Sequence, residues 1–307
     1  MVARQFGAQV LATNAGNRGP AAARNLGALH ATGDVLLFLD ADVCVRPDTL
    51  QRIADAFAAN PAMDALIGSY DDSPSEPNFC SQYRNLMHCF FHQTARSDAR
   101  TFWTGCGAIR RQTFFEHSGF DEKHRHPSME DVEFGYRLTQ SGRRIVLDSK
   151  IQVTHAKKWT VLAMLKTDIL NRGIPWTRLI LRYRRMPNDL NLKWSQRASV
   201  PAAWLIVALI LSAIFRAFGE VSAIFPSDFW IRTMLIASVS LFVVLNLPFY
   251  RFLAQRRGLQ FSGLVIPLHL CFHLLNGVSF LAGVLVHTCS EMLERFSVVP
   301  AESGGAL

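Results

Sequence analysis

The stretch LLFLDADV, residues 36–43, places four apolar residues directly before two aspartates that are separated by one alanine. Such an apolar run is typical of a strand buried on both faces of a parallel α/β sheet. Side chains at i and i+2 leave a strand on the same face, so we expect Asp40 and Asp42 to converge. A divalent cation carrying a phosphorylated ligand would offset the repulsion between these carboxylates. The alternative is a helix cap, because a helical pattern follows Pro47.

Segments on both sides of this strand alternate between strand and helix patterns. The predicted elements are a strand at 9–14, a helix at 20–33, a helix at 48–60 and a strand at 64–70. This βαβ series predicts an α/β domain with a mostly parallel sheet, in which ligands bind beyond the carboxyl ends of the strands. The two aspartates lie at such an end, which favours the metal hypothesis over the cap.

A second acidic cluster lies in SMEDVEFGYRLTQSG, residues 128–142, where the apolar spacing predicts a helix. Ser128 is a possible N-cap with Asp131 three positions later, close to a capping box. Capping does not explain why Glu130, Asp131 and Glu133 crowd into one turn, although the helix dipole offsets part of their repulsion. A carboxylate crowded by its neighbours at a pocket edge is suited to accept a proton from a hydroxyl.

The orientation of this helix assigns different tasks to its acids. Adjacent helical residues point about 100° apart, so Glu130 and Asp131 are not expected to face one ligand together. We expect Asp131 to face the pocket, Glu130 to orient a ligand or neighbouring basic groups, and Glu133 to face solvent. The following strand ends at His155, which is either a structural residue or a third metal ligand, and the spacing leaves both open.

The C-terminal third consists of long apolar runs, whereas residues 1–158 mix charged and apolar positions as a soluble domain does. Three runs within 199–290 are each close to the roughly 20 residues that cross a bilayer as a helix. The predicted spans are about 200–218, 231–250 and 261–288. A tail at 291–307 follows them.

Positive charges set the predicted orientation of these spans. Six arginines and lysines lie at 178–197, before the first span, and three arginines follow the second span, whereas the loop 217–230 carries only two acids. The positive-inside rule therefore places the N-terminal domain and the 251–260 loop in the cytoplasm, with the C-terminal tail outside. We expect a multi-pass protein of the inner or plasma membrane. These residues account for most of the net charge of +8, so no nucleic-acid partner is expected.

Residues 159–198 connect the two regions. Apolar residues and arginines alternate there at helical spacing, which predicts helices in the headgroup layer with their arginines facing anionic membrane lipids. An amphipathic helix packed on the N-terminal domain fits the same pattern equally well. Either arrangement would hold the site close to the bilayer.

Cysteines and paired histidines add no metal site to the prediction. The six cysteines contain no CxxC pair, so neither a disulfide framework nor a zinc knuckle is indicated. His88 with His92 and His269 with His273 are each spaced i, i+4. We expect packing or interhelical hydrogen bonds for both pairs rather than metal binding.

Taken together, these segments resemble a known family. The order GNRGPAAARNLG, GDVLLFLDADV, TGCGAIRRQTF, GFDE and MEDVEFGYRL, followed by a histidine, is similar to family 2 glycosyltransferases of the Rossmann-like GT-A fold. The resemblance covers residues 9–160. It implies an inverting transfer of a sugar from a nucleotide-sugar donor, assisted by Mg²⁺ or Mn²⁺.

The resemblance also implies roles for residues on the donor side. Asp40-Ala41-Asp42 matches the DxD motif that holds the metal and the diphosphate. His155 matches the C-terminal metal-binding histidine, and Arg24 matches the helix arginine near the donor phosphates.

The other matched residues lie toward the acceptor. Gly105 and Gly107 match the glycine loop near donor and acceptor, and Glu130-Asp131 matches the acidic pair that supplies the base, for which we choose Asp131. The membrane-proximal helices and apolar spans are similar to members that act on lipid-linked or exported glycans. The implied acceptor is therefore a hydroxyl of a glycan or of a lipid-linked molecule.

The beginning of the chain departs from the family pattern. Family members begin with two strand–helix units that hold the nucleotide base, whereas MVARQFGAQVLATN corresponds to the middle of that domain. About 60 residues of the pattern are therefore expected to be absent, at about 30 for each unit. Two hypotheses follow: an active membrane-bound glycosyltransferase whose beginning is missing here, and a truncated, non-catalytic membrane protein that retains the scaffold.

Overall fold

The computed structural model describes residues 2–12, 16, 18–123, 129–217 and 227–297. The helices are α1 (Val2–Gln5), α2 (Pro20–His30), α3 (Thr49–Ala59), α4 (Phe79–Gln93), α5 (Arg111–Glu116), α6 (Glu130–Gln140), α7 (Val161–Lys166), α8 (Ile174–Tyr183), α9 (Trp194–Ala217) and α10 (Asp228–Ser297). The strands are β1 (Val35–Leu39), β2 (Val43–Val45), β3 (Ala65–Tyr70), β4 (Asp98–Ala99), β5 (Cys106–Arg110) and β6 (Ile145–His155). A π-helix, Thr167–Gly173, joins α7 to α8, and a 3₁₀ turn, Leu190–Leu192, precedes α9.

The strands form one mixed sheet, so the prediction of a mostly parallel sheet is wrong. Its order is β1-β5-β3-β6-β2, with β4 paired to β6. Among the described strands, only β3 and β6 pair in parallel, and the other four pairings are antiparallel. The cause is β5, which inserts between β1 and β3 and runs against both. A βαβ pattern in the sequence therefore places β1 and β3 in the same direction without making them neighbours.

The strand β1 is an edge strand among the described residues. Leu36 and Phe38 are buried, whereas Leu39 is 40% exposed. The expectation of burial on both faces is therefore wrong, because the face that carries Val35, Leu37 and Leu39 is only partly covered. The strand predicted at 9–14 is also not formed in its described part, residues 9–12. Residues 13–15 of that region and Ser128, the possible N-cap, lie outside the described residues.

The other predicted elements of the first part of the chain are confirmed within a few residues. Pro20 occupies the first turn of α2, where its missing N–H costs no hydrogen bond. An aromatic cluster fills one face of the sheet: Phe38, Phe102, Phe114, Phe120 and Phe134. A second cluster covers the opposite face beneath α3: Ile53, Phe57, Leu66, Ile151 and Val153. The two clusters make the N-terminal part a sheet covered on both faces.

Within the described residues, two helices toward the C-terminal end are long and apolar enough to cross a membrane, Trp194–Ala217 and Asp228–Leu293. The predicted count of three spans is not confirmed by these lengths. The second helix changes direction at Gly258, whose φ of +86° and ψ of 164° lie outside the helical region. The loop predicted at 251–260 is wrong, because helix continues on both sides of this single residue. Glycine carries no Cβ and accepts this conformation without the steric cost that other residues meet.

Side-chain contacts place the two halves of α10 next to each other. Phe242 and His273 lie 5.5 Å apart between ring centroids, and Phe249 and His269 lie 5.0 Å apart. The Tyr250 hydroxyl also forms a 3.1 Å hydrogen bond with His269 Nδ1. The pair His269/His273 is therefore used for packing and an interhelical hydrogen bond, as expected.

The apolar helices pack directly on the N-terminal part. Leu86 and Phe91 of α4 share a buried cluster with Phe249 and Phe272 of α10. Near the Gly258 turn, Arg257 Nε donates to Gln82 Oε1 at 2.9 Å. A contiguous apolar core therefore joins the sheet domain to the long helices.

The connecting segment packs on the domain and also exposes apolar residues. Trp176 of α8 is buried and donates from Nε1 to the Tyr136 hydroxyl at 3.2 Å. Leu162 of α7 and Leu170 of the π-helix are 75% and 55% exposed. The exposed Arg178 lies on α8. The segment thus combines the two alternatives that its sequence left open: a face packed on the domain and a face free for other contacts.

Candidate active site

One arginine connects two acids that are far apart in the sequence. Arg24 on α2 donates from Nη2 to Asp40 Oδ1 at 2.8 Å and from Nη1 to Glu130 Oε1 at 2.6 Å. Burial disfavours the charged guanidinium, but the hydrogen bond and charge of Glu130 outweigh it, so the pKa of Arg24 is raised. Asp40 follows β1 and Glu130 begins α6. This bridge fixes the end of the strand against the start of the helix.

Asp42, the second aspartate of the pair, lies near His155 and Lys157. Asp40 to Asp42 form a turn between β1 and β2, closed by the Val43 N–H donating to the Asp40 carbonyl at 3.2 Å. Asp42 Oδ2 lies 3.7 Å from His155 Nε2 and 4.0 Å from Lys157 Nζ. The nearby His155 lowers the pKa of Asp42 despite its partial burial. The two aspartates thus diverge from a turn, rather than leaving one strand face, yet both border the same cavity.

The side chains around Asp42 and His155 offer ligands of the kind that a divalent metal ion needs. Among the described residues, no three His, Cys, Asp or Glu side chains are grouped closely enough to hold a metal ion. Asp42 and His155 supply one carboxylate and one imidazole, while Asp40 is paired with Arg24. Mg²⁺ in nucleotide sites is usually held by one or two carboxylates, with water and substrate phosphates completing its coordination. Asp42 and His155 therefore fit a divalent ion whose remaining ligands come from water and from the phosphates of a bound substrate.

Asp131 is held by three hydrogen-bond donors at the start of α6. The Thr104 N–H and Thr104 hydroxyl donate to Oδ2 at 3.2 and 3.4 Å, and the Val132 N–H donates to Oδ1 at 2.8 Å. Burial, followed by the charge of Glu130, raises the pKa of Asp131 to about 6, against the opposing charge of Arg24. A carboxylate with a pKa close to neutrality can accept a proton from a hydroxyl at physiological pH.

The other two acids of this helix differ in part from the expectation. Glu130 and Asp131 both border the cavity, because they lie in the first turn at its edge. Glu133 is buried, so the prediction that it faces solvent is wrong. It accepts from Arg137 Nε at 2.9 Å and from the Tyr183 hydroxyl at 2.6 Å. The packing of α8 on α6 covers this position, and helical spacing alone does not show that contact.

Gly105 and Gly107, the glycines that match the family pattern, lie behind the residues that border the cavity. Gly105 and Gly107 do not border the cavity, whereas Trp103 and Thr104 do. A Cβ on Gly105 would overlap the indole ring of Trp103, and one on Gly107 would overlap the Trp103 carbonyl oxygen. Their small size therefore allows the loop to fold tightly and to present Trp103 and Thr104 to the cavity.

The cavity has a volume of about 310 Å³ and extends beyond the matched residues. Tyr70 borders it, and its ring stacks on His155 with 4.4 Å between ring centroids and contacts His88 edge-on at 6.0 Å. Beyond it, the cavity reaches residues of α4, the π-helix and α10. These are Arg84, His88, His92, Asp168, Asn171, Arg172, Phe272 and Asn276.

This second half of the cavity is not among the sites predicted from the sequence. Arg84 and Asp168 form a buried ion pair with distances of 3.1 and 2.5 Å. Arg172 donates from Nη1 to His88 Nε2 at 3.0 Å. The i, i+4 histidines and the charged residues within an apolar helix were the available signals. Because π-helical turns often occur at functional sites, the irregular segment also marks this region in the structure.

The N-terminal part is similar to known glycosyltransferases. Residues 4–119 match the family model described as Glycosyl transferase family 2. A glucosyl-dolichyl phosphate glucuronosyltransferase of Haloferax volcanii is 26% identical over 158 residues, which cover 48% of this chain and 50% of that protein. An uncharacterized glycosyltransferase of Haemophilus influenzae is 25% identical over 169 residues, with coverages of 52% and 53%. The chain therefore spans about half the length of these two relatives.

A solved structure shows a weaker likeness over more of the chain. This is the mannosyltransferase PcManGT from Pyrobaculum calidifontis in complex with GDP-Man and Mn²⁺. It is 17% identical, with a TM-score of 0.49, and the match covers 85% of this chain and 72% of that one.

Proposed function

We propose that this chain transfers a sugar from a nucleotide-sugar donor to a hydroxyl of a glycan or lipid-linked acceptor, because residues 4–119 match the family model described as Glycosyl transferase family 2. The observation that carries the proposal is the single cavity bordered by Asp40, Asp42 and His155 together with Glu130 and Asp131. These residues come from three separate segments of the chain. Their convergence supports one reaction centre with an acidic base and a metal-binding wall.

We propose inversion at the anomeric carbon, with Asp131 as the base. The acceptor hydroxyl attacks that carbon and transfers its proton to Asp131, while the bond from the carbon to the diphosphate oxygen breaks. One base and one leaving-group site on opposite sides of the sugar are sufficient for this single displacement. Thr104 supports the assignment, because its two hydrogen bonds to Oδ2 fix the orientation of the carboxylate.

The leaving nucleoside diphosphate requires positive charge at the opposite wall. Mg²⁺ or Mn²⁺ would be held by Asp42 and His155, with Asp40 beside them, and would neutralise the diphosphate when bound. Lys157 adds a cation next to Asp42. Arg24 keeps Asp40 and Glu130 in place, which supports a positioning task in addition to charge compensation.

We further propose a multi-pass protein of the inner or plasma membrane, with the N-terminal domain in the cytoplasm. The length and hydropathy of α9 and α10 support a membrane location. Arg256 Nε lies 3.1 Å from Asp72 Oδ2, so the Gly258 turn lies against the N-terminal domain. This contact supports a three-span arrangement in which that turn and the domain share one side of the membrane. The arginines around the turn favour the cytoplasmic side.

A direct test measures release of nucleoside diphosphate. The full chain, purified in detergent with Mn²⁺, is incubated with a panel of nucleotide sugars and a lipid extract as the acceptor source. We expect release with at least one donor, and its loss in Asp131→Asn while donor binding remains. Donor binding without release or sugar transfer from any donor would favour the alternative, a non-catalytic membrane protein that retains the scaffold.

A further inference from the structure

The cavity continues from the proposed reaction centre to the surface of a long apolar helix. Trp176 borders it from α8, and Phe272 and Asn276 border it from α10. The π-helix Thr167–Gly173 lies between these elements and packs on α10, where the Ser279 hydroxyl lies 3.4 Å from the Asp168 carbonyl oxygen. The proposed base and the proposed membrane helices therefore border one continuous space.

Arg172 brings a positive charge into this part of the cavity. Among the residues that the structure describes, no carboxylate lies within ion-pair distance of its guanidinium, which donates to His88. The neighbouring Arg84 differs, because Asp168 neutralises it through two hydrogen bonds. Burial and the charge of Arg84 lower the pKa of Arg172 to about 10, so Arg172 remains charged at neutral pH.

His92 adds a buried polar group without a partner. Its side chain borders the cavity and is 7% exposed, and its Nδ1 has no hydrogen-bond partner within the described part of the chain. Burial lowers the pKa of His92 to about 4, so the ring is neutral near pH 7. Buried polar atoms in native proteins nearly always have a partner, and one without a protein partner indicates a ligand or an ordered water.

We propose that Arg172 and His92 bind the phosphate group of an amphiphilic acceptor whose apolar chain lies along α10. A guanidinium offers five N–H donors in a planar fork that matches phosphate oxygens, and one hydrogen bond to His88 leaves donors for a ligand. Phe272 and Trp176 supply the apolar wall beside it. This inference rests on the proposed function only in identifying the ligand as the acceptor.

The test measures binding without any donor, so it does not depend on sugar transfer. Farnesyl phosphate is titrated into the purified full chain in detergent, in parallel with farnesol and with inorganic phosphate. We expect farnesyl phosphate to bind, and Arg172→Gln to weaken this binding about tenfold to hundredfold, the effect of losing a hydrogen bond to a charged group. Arg178→Gln is the matched control, because this exposed arginine lies six positions away and does not border the cavity.

Each comparison can overturn a separate part of the inference. Equal binding of farnesol, or undiminished binding by Arg172→Gln, would exclude recognition of the phosphate by this arginine. Inorganic phosphate binding as tightly as farnesyl phosphate would exclude a lipid-borne ligand. Arg172→Lys keeps the charge and should retain more affinity than Arg172→Gln, whereas equal loss in both would indicate a structural effect. Transfer activity that is absent while this binding is present would refute the proposed function alone.

Discussion

Lowering the pH should inactivate the protein by protonating Asp131. Its pKa is raised to about 6, chiefly by burial and then by the charge of Glu130. The deprotonated fraction of a base with that pKa is about 0.1 at pH 5 and nearly 1 at pH 7.5, so kcat/KM should be about tenfold lower at pH 5. The assay is release of nucleoside diphosphate at saturating Mn²⁺, because saturation limits the contribution of metal loss to the profile.

The same pKa predicts an unusual effect on stability. The folded protein holds the proton of Asp131 more tightly than the unfolded chain, whose aspartates titrate near the ordinary value of 3.8. The charged carboxylate therefore reduces the free energy of unfolding above pH 6, and this cost disappears as the pH falls through 6 toward 4. A shift of about two units corresponds to at most about 3 kcal/mol.

The variant Asp131→Asn separates the effect of this carboxylate on activity from its effect on stability. The variant should lose turnover but gain about 1–3 kcal/mol in free energy of unfolding at pH 8, with no gain at pH 4. Asp98→Asn is the control, because that carboxylate is half exposed on β4 and outside the cavity. It should change the stability by less than about 0.5 kcal/mol. Equal kcat/KM at pH 5 and 7.5, or a less stable Asp131→Asn at pH 8, would refute the reasoning.

Three further predictions follow from other parts of the molecule. Asp42→Asn should lower turnover at least about a hundredfold, as loss of an electrostatic stabiliser does, and activity that survives EDTA would contradict the metal site. Arg84→Met should lower the free energy of unfolding by about 3–5 kcal/mol, because the buried Asp168 then lacks its partner. The double variant Arg84→Met/Asp168→Leu should recover most of that loss, and a double variant as unstable as the single one would show that the ion pair is not the cause. A reporter active only outside the cytoplasm should work when fused after Leu307 and stay silent within 251–260, and the reverse pattern would overturn the orientation.

The residues around Asp40 could be predicted from the sequence because strand ends are local features. An apolar run that stops at an acid marks the edge of a sheet, and several such ends share one edge. The structure accordingly places Asp40, Asp42 and His155 around one cavity with Asp131. The turn geometry of the two aspartates was not predictable, because it depends on β2 pairing with the distant β6.

The direction of the strands could not be predicted in the same way. The insertion of β5 between β1 and β3 is a long-range pairing, and the alternation of strands and helices does not reveal it. Glu133 shows the same limit at the level of one side chain. Its burial depends on Tyr183, fifty residues later in the chain, which donates a hydrogen bond to it.

The half of the cavity that borders α10 could not be predicted, because it forms between three distant elements. Arg172 had the spacing of a residue on an amphipathic helix, which is equally typical of a solvated or lipid-facing arginine. Its contact with His88 depends on the π-helical turn and on the packing of that turn against α4. Neither feature has a signature in a single sequence.

The shared core of α4 and α10 decides how this protein can be produced for experiments. A chain cut before Trp194 would keep the sheet but would uncover Leu86 and Phe91, which share a buried cluster with Phe249 and Phe272. Apolar surfaces of this kind cause aggregation when they meet water. Expression of the first 193 residues alone should therefore yield insoluble material, and detergent or lipid nanodiscs are the appropriate medium even for studies of sugar-nucleotide binding.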